Sequence, residues 1–327
     1  MILIFSNNDD HSTNDVIDWL LSWNAPFERA NEDTRVDLLA YSIDDKGVRY
    51  RIRVNERVLD SSDITAIWFR RGGLWLHAEQ VTLPPEHEAF SAFINDQLAE
   101  DTHSVRQALL SHQRGLSLNS EALANVNKLE VLSQAAAVGL KVPCTLVTSC
   151  RSEALKFARQ YGSVANKNIS PGVIPARGAF RAEGCTVRLQ ARDMEDLPDS
   201  FGPFLFQQYL EKYVELRIFY LDGECFASAI FSQQDERTQV DFRNYNYETP
   251  NRTPPFLLPL GVQDKVRALM RLLGLNCGSI DMILTPSLEY YFLEVNPVGL
   301  FWQVSHPCNY GLEKQIALWL THGGARD

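Results

Sequence analysis

From Cys277 to Gly299 the chain reads CGSIDMILTPSLEYYFLEVNPVG, and this stretch constrains the fold more than any other. Two apolar runs flank Thr-Pro-Ser-Leu-Glu, a turn sequence, so an antiparallel hairpin is predicted. Tyr-Tyr-Phe-Leu-Glu-Val reads as a buried strand. Polar side chains interrupt the runs at three places: Asp281 on the outgoing strand, and Glu294 and Asn296 at the end of the returning one. Residues two apart on a strand share a face, so Glu294 and Asn296 point the same way. Asp281 and Glu294 flank one turn, and pairing brings them together. Two carboxylates and an amide oxygen, with no His or Cys nearby, suit Mg²⁺, a hard cation that takes carboxylates and phosphate oxygens. Pro297 and Gly299 then turn the chain away. Taken singly, Asp281 also reads as a turn cap and Asn296 as a turn former before proline. The three together, with the cations described next, favour a site.

Two lysines stand at element ends. Lys128 opens a helix after Asn-Val-Asn, and Lys167 ends the strand Ser-Val-Ala-Asn-Lys beside a loop containing Gly172 and Gly178. An ammonium in such a place meets phosphate as a point charge, although a solvated lysine is the commoner case. Arg217 lies in Glu-Leu-Arg-Ile-Phe-Tyr and shares a strand face with Glu215. Arg243 lies in Asp-Phe-Arg-Asn-Tyr-Asn, two residues from Asp241. Arginines projecting from a sheet into a cleft suit bidentate contact with phosphate or carboxylate. The bland alternative is a surface ion pair worth about 0–1 kcal/mol.

The 327 residues, 45% of them apolar, are enough for two or three domains. A net charge of −10 argues against nucleic acid as a partner. No run is apolar and long enough to span a membrane, and the N-terminus reads as a first strand rather than a signal peptide. The six cysteines have no CxxC spacing, so they are expected to be buried thiols in a reducing cytoplasm. Residues 2–6 predict a strand, and Ser12 or Thr13 an N-cap for the helix that follows. Further strands are expected at Leu38–Ile43, Arg49–Val54 and 64–73. A long helix is expected over Glu86–His112, with Phe90, Phe93, Ile94, Leu98, Val105 and Leu109 as its apolar stripe. Leu-Asp-Gly-Glu at 221–224 is a hairpin signal. The pattern divides into an α/β domain over 1–118, an α+β lobe over 119–205, and an antiparallel sheet with helices over 206–327. Two such sheets facing each other make a cleft suited to a ligand.

The ordered set Lys128, Lys167, FQQYLEKYVELR, DFRNYN, SIDMI and FLEVNPVG resembles the ATP-grasp superfamily, from about residue 119 to 305. The segments ILIFSNNDDHSTNDVIDWL and IWFRRGG resemble the pre-ATP-grasp domain of graspetide maturases, the microviridin-type and grasp-with-spasm enzymes, which are similar to ribosomal-protein glutamate ligases. The resemblance implies an ATP-grasp fold, α/β and α+β, with nucleotide and Mg²⁺ held between two lobes. It implies ATP-dependent closure of ester or amide crosslinks in a ribosomal precursor peptide, in the cytoplasm, by a protein for which a homodimer is the family expectation. Carried over by position, Lys128 and Lys167 contact the phosphates. Gln207, Gln208, Tyr209 and Leu210 form the hinge that receives adenine, with backbone groups of Tyr209 and Leu210 as partners. Glu211 or Glu215 takes the ribose hydroxyls. Arg217 and Arg243 meet the γ-phosphate and the acyl phosphate, and Asp281, Glu294 and Asn296 hold Mg²⁺. Asp241, with Glu215 behind it, is the candidate for steering or deprotonating the nucleophile, or else simply pairs with Arg243. The loop after Lys167 carries fewer glycines than many ATP-grasp lids.

The implied chemistry is phosphorylation of a side-chain carboxylate followed by attack of a hydroxyl or amine, with much of the rate coming from positioning. One alternative is a carboxylate–amine ligase of the same fold acting on a small molecule or a protein tail. A second is a non-catalytic ATP-binding module. A kinase is disfavoured because no HRD or DFG run is present. Arg70 and Arg71, at a strand end before Gly72 and Gly73, are candidates for holding acidic side chains of the peptide. An internal or solvated ion pair accounts for them equally well.

Overall fold

The computed structural model describes residues 1–112, 116–170, 186–234 and 250–323. The chain packs as two compact units, Met1–Ala124 with Gly311–Asp327, and Asn125–Tyr310.

In the first unit, strand β1 (Ile2–Phe5) leads into helix α1 (His11–Ser22) and strand β2 (Phe27–Ala30). A meander of β3 (Val36–Asp44), β4 (Gly47–Val54) and β5 (Arg57–Asp60) follows, then β6 (Ala66–Phe69), helix α2 (Glu88–Ser111) and β7 (Leu116–Leu118). The four strands β2-β1-β6-β7 form a parallel sheet, and β3-β4-β5 form an antiparallel one. All four residues of β1 and of β6 are buried, as expected for parallel strands covered on both faces. Phe5 stacks on Phe69 with ring centroids 5.0 Å apart. The last helix, Leu312–His322, packs on α1 and β6 in this unit.

Two local expectations change here. Helix α1 begins at His11, one residue before the expected cap. Ser12 and Thr13 lie inside it, because both hydroxyls have buried partners: Thr13 Oγ1 with Ser6 Oγ at 2.9 Å, and Ser12 Oγ accepting from Arg70 at 3.1 Å. Helix α2 buries only Ser91 and Leu109, and Phe90 and Phe93 stand 63% and 70% exposed. Its stripe is therefore covered only toward its C-terminal end.

The second unit contains α3 (Lys128–Ala137), β8 (Thr145–Cys150), α4 (Arg151–Tyr161), β9 (Val164–Lys167), β10 (Val187–Leu189) and β11 (Ser200–Gln208). It continues with β12 (Val214–Leu221), β13 (Glu224–Ile230), β14 (Pro255–Phe256), α5 (Leu260–Leu272), β15 (Cys277–Leu284), β16 (Tyr290–Asn296) and α6 (Trp302–Cys308). Two antiparallel sheets result, β10-β9-β11-β8 and β14-β13-β12-β15-β16. The whole of β11 pairs in the first of them, past residue 205. Asp222 and Gly223 both have positive φ (44° and 96°), the geometry that lets a two-residue turn close the β12–β13 hairpin. All eight residues of β12 are buried, charged ones included, so it forms the spine of the larger sheet.

The cysteines depart from expectation. Cys277 and Cys308 are buried, but Cys144 and Cys150, at the two ends of edge strand β8, are exposed. An edge strand has no neighbour to cover them, and Cys185 lies outside the described residues. Among the described residues no helix is long and apolar enough to cross a membrane.

Candidate active site

Strand register builds the centre of the site. Arg217 on β12 stands opposite Asp281 on β15, and Asp281 opposite Glu294 on β16. The three side chains therefore lie in one row across the larger sheet and on one face. Ser279 opposite Asn296 forms the next row on that face. A register shift after Asp281 inserts one extra residue, Leu293, and turns β16 at the point where Glu294 is presented. Gly299 lets the chain fold back closely, since a Cβ there would sit 2.2 Å from Ser279 Cβ.

Two carboxylates side by side repel unless cations flank them, and both flanks are occupied. Arg217 Nη1 donates to Asp281 Oδ1 and Oδ2 at 2.6 and 2.7 Å. Lys128 Nζ lies 3.0 Å from Glu294 Oε2 and donates to the Asn168 carbonyl at 3.2 Å. Lys128 is held there by the start of α3, where Asn127 Oδ1 accepts from the Leu129 and Glu130 amides. Arg217 is 8% exposed, and its Nε–H is buried with no partner among the described residues. A buried guanidinium with one unsatisfied donor is a natural receptor for an anion.

The two sheets enclose a pocket lined from one side by Ala165, Lys167, Thr186, Gln207 and Gln208, and from the other by Glu215, Asp281, Ile283, Leu293 and Glu294. Tyr209, Leu210, Lys212 and Pro143 complete it. The apolar groups Ala165, Ile283 and Leu293 suit a flat aromatic base, while Lys167, Asp281 and Glu294 are the charged part. The Tyr209 amide is donated to the Ser163 carbonyl at 3.1 Å. Arg188 lies over the Tyr209 ring, 4.1 Å from its centroid, and within 3.8 Å of the exposed Glu211.

Glu215 is deeply buried. Its Oε1 accepts from Lys212 Nζ at 2.9 Å and from Ser232 Oγ at 2.7 Å. Burial pushes its carboxyl above the usual range, against the opposing pull of Lys212 and Ser232. Asn296 is exposed, and its Oδ1 accepts the Val298 amide at 3.0 Å, the turn-forming role also open to it from sequence. A carbonyl oxygen has a second lone pair, so this bond does not exclude a metal.

Of the remaining expected residues, Asp241 and Arg243 lie outside the described residues, as do Gly172 and Gly178. Arg70 and Arg71 belong to the first unit. Arg70 is 3% exposed, with Nε 3.1 Å from Asp10 Oδ2, and Arg71 Nε lies 3.4 Å from the same oxygen with its side chain 39% exposed. Lys212 and Arg188 were not singled out from sequence. Lys212 had a faint signal, a lysine three residues before Glu215 ahead of an apolar strand, and Arg188 had none. Among the described residues no three His, Cys, Asp or Glu side chains gather as a metal cluster. The donors on offer are two carboxylates and an amide oxygen, which fit Mg²⁺ when phosphate oxygens and water complete its shell.

No protein-family model matches this chain, and no curated protein matches it. Solved structures do. The chain is similar to a RiPP-associated ATP-grasp ligase of Chryseobacterium gregarium, solved with ADP and a leader and core peptide (TM-score 0.81, 24% identity, 99% of this chain and 97% of that one). It is similar to the macrocyclase MdnC of Microcystis aeruginosa bound to its precursor peptide MdnA (TM-score 0.75, 26% identity, 98% of both chains). It is more distantly similar to D-alanyl-alanine synthetase A of Vibrio cholerae (TM-score 0.51, 13% identity, 98% of this chain and 97% of that one). The fold is that of ATP-grasp ligases.

Proposed function

We propose that this ATP-grasp protein is a peptide macrocyclase, which activates Asp or Glu side chains of a ribosomal precursor peptide with ATP and joins them to Ser/Thr hydroxyls or Lys amines. The observation that carries this reading is the row Arg217–Asp281–Glu294, flanked by Lys128 and opening on a pocket with an apolar half, in a fold shared along its whole length with MdnC. Ribosomal peptide and ATP meet in the cytoplasm, where we place the protein. We take the two sheets of the second unit as the two lobes, dividing after Gln208.

In this reading Lys128 and Lys167 receive the phosphates. Leu210 offers its peptide group to adenine, because the Tyr209 amide is already donated. Glu211, exposed at the rim, takes the ribose hydroxyls in preference to the buried Glu215, which holds Lys212 and Ser232. Asp281, Glu294 and Asn296 hold Mg²⁺, which when bound neutralises charge on the phosphate oxygens. The substrate carboxylate attacks the γ-phosphorus while the bond to the ADP oxygen breaks. The unpartnered Nε–H of Arg217 meets the charge that develops, with Arg243 as the second guanidinium. A hydroxyl or amine then attacks the acyl carbon, gives up its proton with Asp241 as acceptor, and phosphate leaves.

ADP formation that needs both Mg²⁺ and a precursor peptide bearing acidic side chains together with hydroxyls or lysines tests the reading. Turnover indifferent to the peptide contradicts it. A ligand that binds only the folded state also stabilises it, by about 2.7 kcal/mol at a hundred times Kd. ADP with Mg²⁺ is therefore expected to raise the melting temperature by several degrees, and an unchanged Tm at saturation counts against nucleotide binding altogether.

Arg71 is the better of the paired arginines for the peptide. Arg70 is enclosed with Asp10, whereas Arg71 leans on the same carboxylate and keeps part of its guanidinium in solvent. Arg71→Ala is expected to slow crosslinking severalfold with ADP affinity unchanged, read by mass spectrometry beside a thermal-shift titration. Wild-type crosslinking by the variant reduces Arg71 to an internal ion pair.

A further inference from the structure

Strand β8 is an open edge of the sheet β10-β9-β11-β8, and it lacks the charged side chains that normally blunt an edge. From Val142 to Cys150 there is no charge, and Thr145, Leu146, Val147 and Thr148 form its middle. Threonine and valine favour a paired strand. The length available for pairing has sharp limits. Pro143 has no N–H to offer, and Arg151 starts helix α4. The segment between them begins with Cys144, ends with Cys150 and centres on Val147. Both thiols are exposed.

The Gln208 amide donates to the Cys144 carbonyl at 2.8 Å, so Cys144, Leu146 and Thr148 turn their backbone groups toward β11. Thr145, Val147 and Ser149 turn theirs to the open edge. A second β8 laid antiparallel along that edge, with Val147 on the two-fold axis, bonds through these three residues. Cys144 then stands opposite the partner's Cys150, and Cys150 opposite the partner's Cys144, both at non-hydrogen-bonded positions. Cα atoms at such positions approach to about 4.5 Å, within the disulfide span of about 4.4–6.8 Å. Within one chain the two cysteines are about 20 Å apart along the extended strand and cannot join each other. No charged side chain of the segment meets its own copy across the axis, where like charges would repel.

We infer that β8 is a self-pairing edge at which two copies of this chain become joined, under oxidation, by two symmetric Cys144–Cys150 disulfides. The inference goes beyond the ligase reading and stands without it. A low-molecular-weight disulfide such as oxidised glutathione is the oxidant. The Cys150 thiolate attacks one of its sulfurs, and the first glutathione thiolate leaves. The partner's Cys144 gives its proton to water and attacks Cys150 Sγ, and the second glutathione thiolate leaves. Each protein disulfide formed therefore reduces one oxidant molecule to two thiols. Cys150 suits the first attack. The Ser152 hydroxyl, 3.2 Å from its sulfur, and the Glu153 and Ser152 amides at the start of α4 hold its thiol below the usual range. In a reducing compartment such a bond is transient and reports oxidation.

The experiment incubates the full chain with oxidised glutathione and separates the products on a non-reducing gel. Wild type is expected to give a band at twice the chain mass, which a thiol reductant removes. Cys144→Ser and Cys150→Ser are each expected to lose that band about tenfold or more, because the remaining cysteine faces a serine. An equal mixture of the two variants is expected to recover about half of it, the share of mixed pairs, since each supplies the cysteine the other lacks. Val147→Lys keeps both thiols but sets like charges on the axis, and is expected to cut the yield severalfold. A band from either single variant alone, a mixture no better than its components, a yield unchanged by Val147→Lys, or no band from wild type overturns the assignment.

Discussion

Glu294→Gln is expected to abolish ATP turnover, by about a hundredfold or more, while the protein stays folded. The carboxylate lies at the end of its row, 31% exposed and paired with Lys128. Losing a partly exposed pair costs about 0–1 kcal/mol, so the melting temperature should hardly move. Turnover depends on the negative charge, since a metal held by Asp281 and Glu294 supplies several kcal/mol of charge stabilisation during phosphoryl transfer. Calorimetric titration of Mg²⁺ in the presence of ADP separates this from misfolding. Wild-type metal affinity in the variant contradicts the assignment of Glu294 as a ligand.

Lys212→Met should carry the largest stability effect in the second unit. Lys212 and Glu215 are buried with side chains 4% and 11% exposed, and removing one partner of such a pair typically costs about 3–5 kcal/mol. The cost depends on pH. Burial already raises the Glu215 carboxyl, and Lys212 is the largest influence holding it down, so without Lys212 it rises further. A carboxyl raised in the folded state favours folding when protonated, and that contribution disappears as pH climbs through the folded value. The variant should therefore be closest to wild type in acid, below the ordinary glutamate value of about 4.3, and weakest at neutral pH. Urea unfolding at both pH values checks this, and Glu215→Gln in the Lys212→Met background should recover part of the loss. A penalty independent of pH would mean that Lys212 acts through packing alone.

Side-chain alternation made the hairpin carrying Asp281, Glu294 and Asn296 legible in the sequence, because a period of two needs no tertiary information. The Arg217–Asp281 bond was not legible, since it depends on how β12 and β15 align, and many registers are compatible with two apolar runs. Lys128 was legible as a helix start, but its pairing with Glu294 joins distant segments. The fate of Arg70 turned on Asp10, sixty residues away in sequence and 3% exposed. Phe90 and Phe93 fit a helical stripe by spacing, yet spacing does not say whether anything covers the stripe.

Mass spectrometry of a precursor peptide bearing acidic, hydroxyl and lysine side chains after incubation with this protein, ATP and Mg²⁺ tests the central claim most directly. The account predicts loss of one water mass for each crosslink formed, with fragmentation joining an Asp or Glu side chain to a Ser, Thr or Lys, and no loss when Glu294→Gln replaces the wild type. A peptide recovered at its starting mass while ATP is hydrolysed, or a phosphorylated peptide as the end product, would contradict it.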